Sequence, residues 1–247
     1  IGTLRNLYDE RDARVLSRME YTDTTVRAVQ LGNGEVDVPR TFDGEHLRAI
    51  HRHLFQDVYE WAGEYRTVEM SKGPGRGFGE VKTGEVDRYL SDARQLVTST
   101  DWAKISRNDF VATASTVFTY VNQAHPFREG NGRTSKVFMA HVDEQSPYRF
   151  DFARVSPEQW NAGSAMSRPD MFAYAPEPAS LVPVFAAVTV ERTAPPAAPD
   201  RAAQARSALS ASYPRPASEA TKQTPQQGTQ ARPPSAGYRA TRGPNVG

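Results

Sequence analysis

The sequence predicts an all-α domain that carries one β-hairpin and is followed by a disordered C-terminal tail. Three observations predict it. Apolar residues recur at helical spacing in successive segments between Tyr8 and Val190. One stretch, Tyr65 to Val81, alternates instead and is broken by glycines. From Arg192 onward nine of the chain's 18 prolines appear among Ala, Ser, Gln and Arg, with almost no aliphatic residues. The boundaries are a folded domain over 1–191, with N-terminal helices in 1–40 and a core in 41–191, and a Pro/Ala/Arg-rich tail over 192–247.

In chain order, Leu7, Val15, Leu16, Met19, Val26 and Val29 predict one or two amphipathic helices, ended by Gly32-Asn33-Gly34. Leu47, Ile50, Leu54, Phe55 and Val58 give a second helical face in the segment Asp43 to Gly63, with Gly63 as its stop. His46, His51 and His53 lie in that segment, but His51 and His53 point to different helix faces, so they read as packed histidines rather than a metal cluster. Tyr65 to Ser71 and Phe78 to Val81 read as the arms of the hairpin, joined by glycine-rich residues with Lys72 and Arg76 near its tip.

A helix from about Gly84 to Ser99 follows, with Val86, Tyr89, Leu90, Ala93 and Leu96 on one face. Ser106 to Asp109 has capping-box form and opens a buried helix through Phe110, Ala114, Val117, Phe118 and Val121 to Gln123. A helix from about Asn131 to Glu144 is next, on which His141 reads as packed. Ser156-Pro157 then caps a helix reaching about Met166, and Leu181 to Val190 forms a last helix or edge segment.

Composition restricts the chemistry. The chain has 247 residues and no cysteine, which excludes disulfides, thiolate zinc sites and cysteine nucleophiles. No run of about 18 apolar residues occurs, so no membrane span is expected and a soluble, cytoplasmic protein, or one delivered into another cell, is implied. The net charge of +1 hides an asymmetry: residues 1–191 hold 22 basic and 27 acidic side chains, and residues 192–247 hold 8 and 2. The tail reads as a solvated linker, and its basic charge would suit nucleic acid or an acidic partner.

The chemistry concentrates in His125-Pro-Phe-Arg-Glu-Gly-Asn-Gly-Arg-Thr-Ser-Lys136. Pro126 pushes His125 out of the α region and stops the preceding helix. Gly130 and Gly132, flanking Asn131, favour the positive φ angles of an anion nest. The next helix carries Arg133 and Lys136 in its first turns, the reverse of what an empty helix N-terminus attracts, so an anion is expected there. Arg133 and Lys136 are three apart and could both reach a polyphosphate. Glu129 suits Mg²⁺, which prefers a carboxylate, waters and phosphates, and His125 is a base titrating near neutrality. Phe127 is expected to anchor the loop in the core.

This stretch resembles the signature of the Fic (filamentation induced by cAMP) family, HxFx(D/E)GNGRxxR, matching at His125, Phe127, Glu129, Gly130, Asn131, Gly132 and Arg133 and departing at Lys136, where the family has Arg. Trp61-Ala62-Gly63 resembles the family's lead into its flap. The resemblance covers about residues 41–190. It implies an all-α core with a β-hairpin flap and Mg²⁺-dependent transfer of AMP from ATP to a Tyr, Ser or Thr hydroxyl of a target protein.

By the same resemblance His125 is the general base and Glu129 holds Mg²⁺ between the α- and β-phosphates. Asn131 with the Gly130 and Gly132 backbone steadies the α-phosphate, Arg133 binds the β-phosphate, and Lys136 stands at the γ-phosphate. The flap residues Glu69, Met70, Ser71, Lys72 and Phe78 dock the target. The family relative Doc phosphorylates its target instead, and a catalytically inactive peptide-binding module is the non-enzyme alternative. No inhibitory helix of the family's kind is expected, since Thr41 to His46 matches its pattern only in part. The resemblance therefore implies a bacterial toxin or effector, with a separate small antitoxin bearing an inhibitory helix and with DNA gyrase or topoisomerase IV as candidate targets.

Overall fold

A computed structural model describes residues 2–73 and 75–192. The tail expected to be disordered lies, apart from Arg192, outside them. The elements run α1 (Ala13–Asn33), α2 (Gly44–Phe55), α3 (Glu85–Ser99), α4 (Arg107–Ala124), α5 (Asn131–Asp143), β1 (Tyr148–Phe150), α6 (Pro157–Met166), α7 (Val182–Val188) and β2 (Thr189–Glu191). No helix among the described residues is long and apolar enough to cross a membrane.

Local chemistry accounts for the helix ends. The Asp12 carboxylate accepts from the N–H groups of Arg14 and Val15 to start α1, and Gly34, at φ 72°, ends it. Ser106 caps α4, and Ser156 with Gln159 forms a capping box on α6 with Pro157 at its first position. Helix α4 is the central post: Phe110, Ala114, Val117, Phe118, Val121 and Ala124 are buried where it packs against α3, α5 and α7.

Three expectations change. The inward face of α1 is Leu16, Glu20, Thr24, Ala28 and Leu31, whereas Met19 and Val26 face outward. Helix α2 ends at Phe55, not at Gly63; residues 56–63 continue as turns, which swing Val58 and Tyr59 into the core, and Gly63 at φ 85° closes that turn. The antiparallel strand pair is not at 65–81 but joins β1 to β2, with Arg149 opposite Val190.

Residues 65–81 form an open loop across whose arms one backbone bond runs among the described residues, Phe78 N–H to the Met70 carbonyl at 3.0 Å. The reason is visible in Arg66, which is fully buried. Its guanidinium donates to the carbonyls of Val68 and Gly79 that a ladder would use, and also to those of His125 and Ala124. The Glu69 carboxylate likewise takes the Val81 N–H at 3.2 Å. The flap is thus tied by side chains rather than by strand pairing, and it is tied to the end of α4.

Phe127 is fully buried, its ring 3.9 Å from that of His51 and 5.7 Å from that of Tyr65. Phe127→Ala is expected to cost about 3–5 kcal/mol in denaturant unfolding; a loss below about 1 kcal/mol would show that the loop does not depend on this anchor.

Candidate active site

Helix α4 ends at Ala124, and His125 caps it in the left-handed region at φ 42°, a conformation that a side-chain-bearing residue holds only under constraint. The constraint comes from both sides. Arg66 Nε grips the His125 carbonyl at 2.8 Å, and the Arg66 N–H donates to the Pro126 carbonyl at 2.7 Å. The turn continues to Gly130 at φ 78°, where α5 begins. Gly132, in contrast to expectation, is helical rather than at positive φ, because α5 starts one residue before it. The amide of Asn131 is a staple: its oxygen accepts from Phe127 N–H at 2.9 Å and its nitrogen donates to the Phe127 carbonyl at 2.7 Å.

The N-terminus of α5 is open. Gly130 offers no side-chain cap, and the first turn holds no acid. A cavity of about 680 Å³ lies in front of it, in the size range of small-ligand sites. His125, Glu129, Gly130, Asn131, Gly132 and Arg133 form one wall, and Met70, Lys72 and Phe78 of the flap another. Helix α6 closes the third side through Trp160, Asn161 and Ser164, with Arg168 beyond its end. The sequence-predicted residues are therefore brought together, with three exceptions. Glu69 and Ser71 do not line the cavity, since the Glu69 carboxylate is turned to the flap's own backbone.

Lys136 is the third exception. Arg133 and Lys136 leave α5 in different directions: Arg133 reaches Glu20 on α1, while Lys136 is fully buried under α6 with its amine 4.5 Å from the Trp160 ring centroid and 5.4 Å from that of Phe152. The Lys136 amine has no hydrogen-bond partner, and burial pushes its pKa down to about 7. In this arrangement it stands behind the cavity wall rather than on it.

The electrostatics of the base are set by cover. Phe78 lies flat on the His125 imidazole, with ring centroids 3.6 Å apart and an interplanar angle of 7°, and the Lys72 amine stands 5.9 Å from the Phe78 ring centroid. Burial first, then the Lys72 and Arg66 cations, hold His125 well below the usual histidine range, so it is a neutral base. Burial, with Glu20 adding, pushes the Glu129 carboxyl up, opposed by Arg133 at 3.4 Å.

Several residues that organise the site escaped the sequence reading. His51, fully buried, accepts the Gly63 N–H at its Nδ1 (2.8 Å), so its Nε2 donates to the Glu129 carbonyl at 3.1 Å. Burial pushes its pKa down to about 3, which keeps that tautomer neutral. His46 pairs instead with His141 at 2.8 Å, and His53 with the Arg27 carbonyl at 3.0 Å. Glu20 and Thr24 sit four apart on the buried face of α1 and meet Arg133. The usable signal for them was a Glu and a Thr at core positions of an otherwise apolar helix face.

Two substitutions test this geometry. A Cβ on Gly130 would lie 2.2 Å from the Phe55 ring, whereas one on Gly132 meets nothing within 4 Å. Gly130→Ala is therefore expected to cost about 2–4 kcal/mol, and Gly132→Ala to be neutral or stabilising by up to about 1 kcal/mol in chemical denaturation; equal effects would refute the turn. For Lys136, the unfolded chain keeps its proton to 10.5 and the folded chain only to about 7, so between those values the unfolded state binds more protons and stability rises with pH. Relative to Lys136→Met, the native protein should gain up to about 1.4 kcal/mol per pH unit between pH 7.5 and 9.5. Parallel stability–pH curves would mean that the amine is not neutralised by folding.

With this geometry in place, the likenesses to known proteins have a definite meaning. The Fic/DOC family profile matches residues 41–142. Protein adenylyltransferase VbhT of Bartonella schoenbuchensis is 31% identical over 167 residues, covering 67% of this chain and 34% of that protein, so the chain spans about a third of that relative's length. Probable protein adenylyltransferase y4lH of Sinorhizobium fredii is 34% identical over 161 residues, covering 64% of this chain and 79% of that protein. The N-terminal Fic domain of a VirB-translocated Bep effector protein of Bartonella quintana, solved with bound ADP, matches with a TM-score of 0.67 at 28% identity, covering 77% of this chain and 92% of that one. The motif at 125–133, the helical core around it and the extent of the likeness to y4lH together mean that the chain belongs to the Fic/DOC family.

Proposed function

We propose that this protein is a protein adenylyltransferase that moves AMP from ATP to a hydroxyl side chain of a target protein. The observation that carries the reading is one cavity in which a neutral, buried imidazole stands beside an uncapped helix N-terminus. An anion belongs at that terminus, where the backbone N–H groups and the macrodipole both favour negative charge. Likeness to a protein adenylyltransferase and to a probable protein adenylyltransferase, and the ADP bound by the Bartonella quintana domain, support a nucleotide there.

In this reading His125 takes the proton of the target hydroxyl as its oxygen attacks the α-phosphorus, and pyrophosphate leaves. The open N–H groups of α5 steady the α-phosphate charge, and Arg133 meets the β-phosphate. Glu129, a half-buried carboxylate that lines the cavity, fits Mg²⁺ by donor type, since that ion takes one or two protein carboxylates beside phosphate oxygens and waters. When bound, the ion would neutralise phosphate charge. Lys72 and Arg168, which line the cavity where the buried Lys136 does not, would be the cations available to the γ-phosphate. Phe78 stacks on one face of the imidazole, so the target hydroxyl would approach His125 along the ring edge from the cavity, and the flap residues around Met70 and Lys72 would guide it there. A role as an effector or toxin acting on a host or bacterial protein is consistent with the VirB-translocated relative.

The kept Gly130-Asn131-Gly132 favours AMP transfer over the phosphate transfer of Doc. Incubation of cell lysate with the protein, Mg²⁺ and ATP labelled at the α- or the γ-phosphorus decides: label should pass to protein from the α-position only, and His125→Ala should lower transfer by about 10²–10⁴-fold. Transfer of the γ-label without the α-label would establish a kinase-like reaction instead.

A further inference from the structure

Helix α1 lies outside the segment that matches the family profile, yet it supplies the partners of a site residue. Arg133 projects from the first turn of α5 between two carboxylates. Its Nη2 donates to Glu20 of α1 and, at 3.4 Å, to Glu129; its Nη1 donates to Thr24 at 3.2 Å; and its guanidinium rests 4.7 Å from the Phe55 ring centroid. Glu20 in turn accepts from the Tyr59 hydroxyl. Both ends of the Arg133–Glu20 pair are buried, at 5% and 8% side-chain exposure.

A buried ion pair of this kind is not an efficient way to add stability, because desolvating both charges offsets most of their attraction. Its effect is directional. An arginine side chain has several rotatable bonds, and a guanidinium binds phosphate well only when its plane and donors are preset. Glu20 and Thr24, four residues apart on one face of α1, present two acceptors to the two terminal nitrogens. Phe55 limits the guanidinium on one face, and Tyr59 fixes the carboxylate that does the aiming. Arg133 lines the cavity, and Glu20 does not.

We propose that Glu20 is the positioning residue of the phosphate seat, acting through Arg133 and itself held by Tyr59, so that α1 is part of the working site. The proposal rests on the reading of Arg133 as the β-phosphate contact. It predicts a defect in recognition of the second phosphate rather than of the nucleotide as a whole. A carboxylate that merely competed with the ligand for Arg133 would have the opposite effect.

The test is isothermal titration of the full chain with ADP and with AMP, which differ by the β-phosphate alone. Native protein should bind ADP more tightly than AMP. Glu20→Ala should weaken ADP binding by about tenfold or more, on the scale of one lost charge-assisted hydrogen bond, and leave AMP binding within about twofold. Tyr59→Phe, which keeps both charges and the ring, should shift ADP in the same direction by a smaller factor and decides the matter if Glu20→Ala does not fold. An unchanged ADP-to-AMP ratio in the folded variants, or tighter ADP binding, would overturn the positioning role. Native protein that binds ADP no more tightly than AMP would overturn the phosphate role of Arg133 itself, and the inference with it.

Discussion

One imidazole, that of His51, holds the turn on which the site is built. Because its Nδ1 is occupied by the Gly63 N–H, its Nε2 can only donate, and it donates to the carbonyl of Glu129. Its ring is stacked between Phe127 at 3.9 Å and Phe55 at 4.5 Å, so the same side chain fixes the turn by hydrogen bond and by packing. Gly63 leads into the flap and Glu129 leads into α5. A single buried neutral histidine therefore ties the lead into the flap to the lead into α5, and charging it would put a proton on Nδ1 and cost the Gly63 contact while keeping the donation to Glu129.

Arg66 does for the other end of the turn what His51 does for this one. Its donors are distributed over the last carbonyls of α4 and the two arms of the flap, groups that would otherwise be buried polar atoms without partners. The flap and the base are consequently one mechanical unit, even though the flap has no strand ladder. A displacement of residues 66–79 is passed directly to the His125 carbonyl, and so to the strained backbone that aims the imidazole.

Much of this was legible in the sequence because it rests on local rules. The helix starts at Ser106 and Ser156 and the stop at His125-Pro126 are written in capping chemistry, and the arrangement of base, acid and glycine turn within nine residues announces an anion site. What escaped depends on long-range packing. Glu20 lies 113 residues from Arg133, and nothing at position 20 alone distinguishes it from a solvated charge. The hairpin was over-read because alternation over 65–71 reports side-chain placement and not which group takes the backbone hydrogen bonds, and here Arg66 takes them. Lys136 was assigned to the cavity from its spacing to Arg133, but three residues along a helix leave two long side chains free to diverge, and the aromatic wall of Phe152 and Trp160 drew one of them away.

The stacking of Phe78 on His125 fixes the plane in which the imidazole can work. Stacking covers the π face, whereas the nitrogen lone pair and the N–H lie in the plane of the ring, so the side chain stays open to a partner that meets it edge-on from the cavity it lines. The phenyl ring therefore acts as a guide and not as a plug: it limits the tilt of the imidazole, and with it the directions from which a proton can be passed.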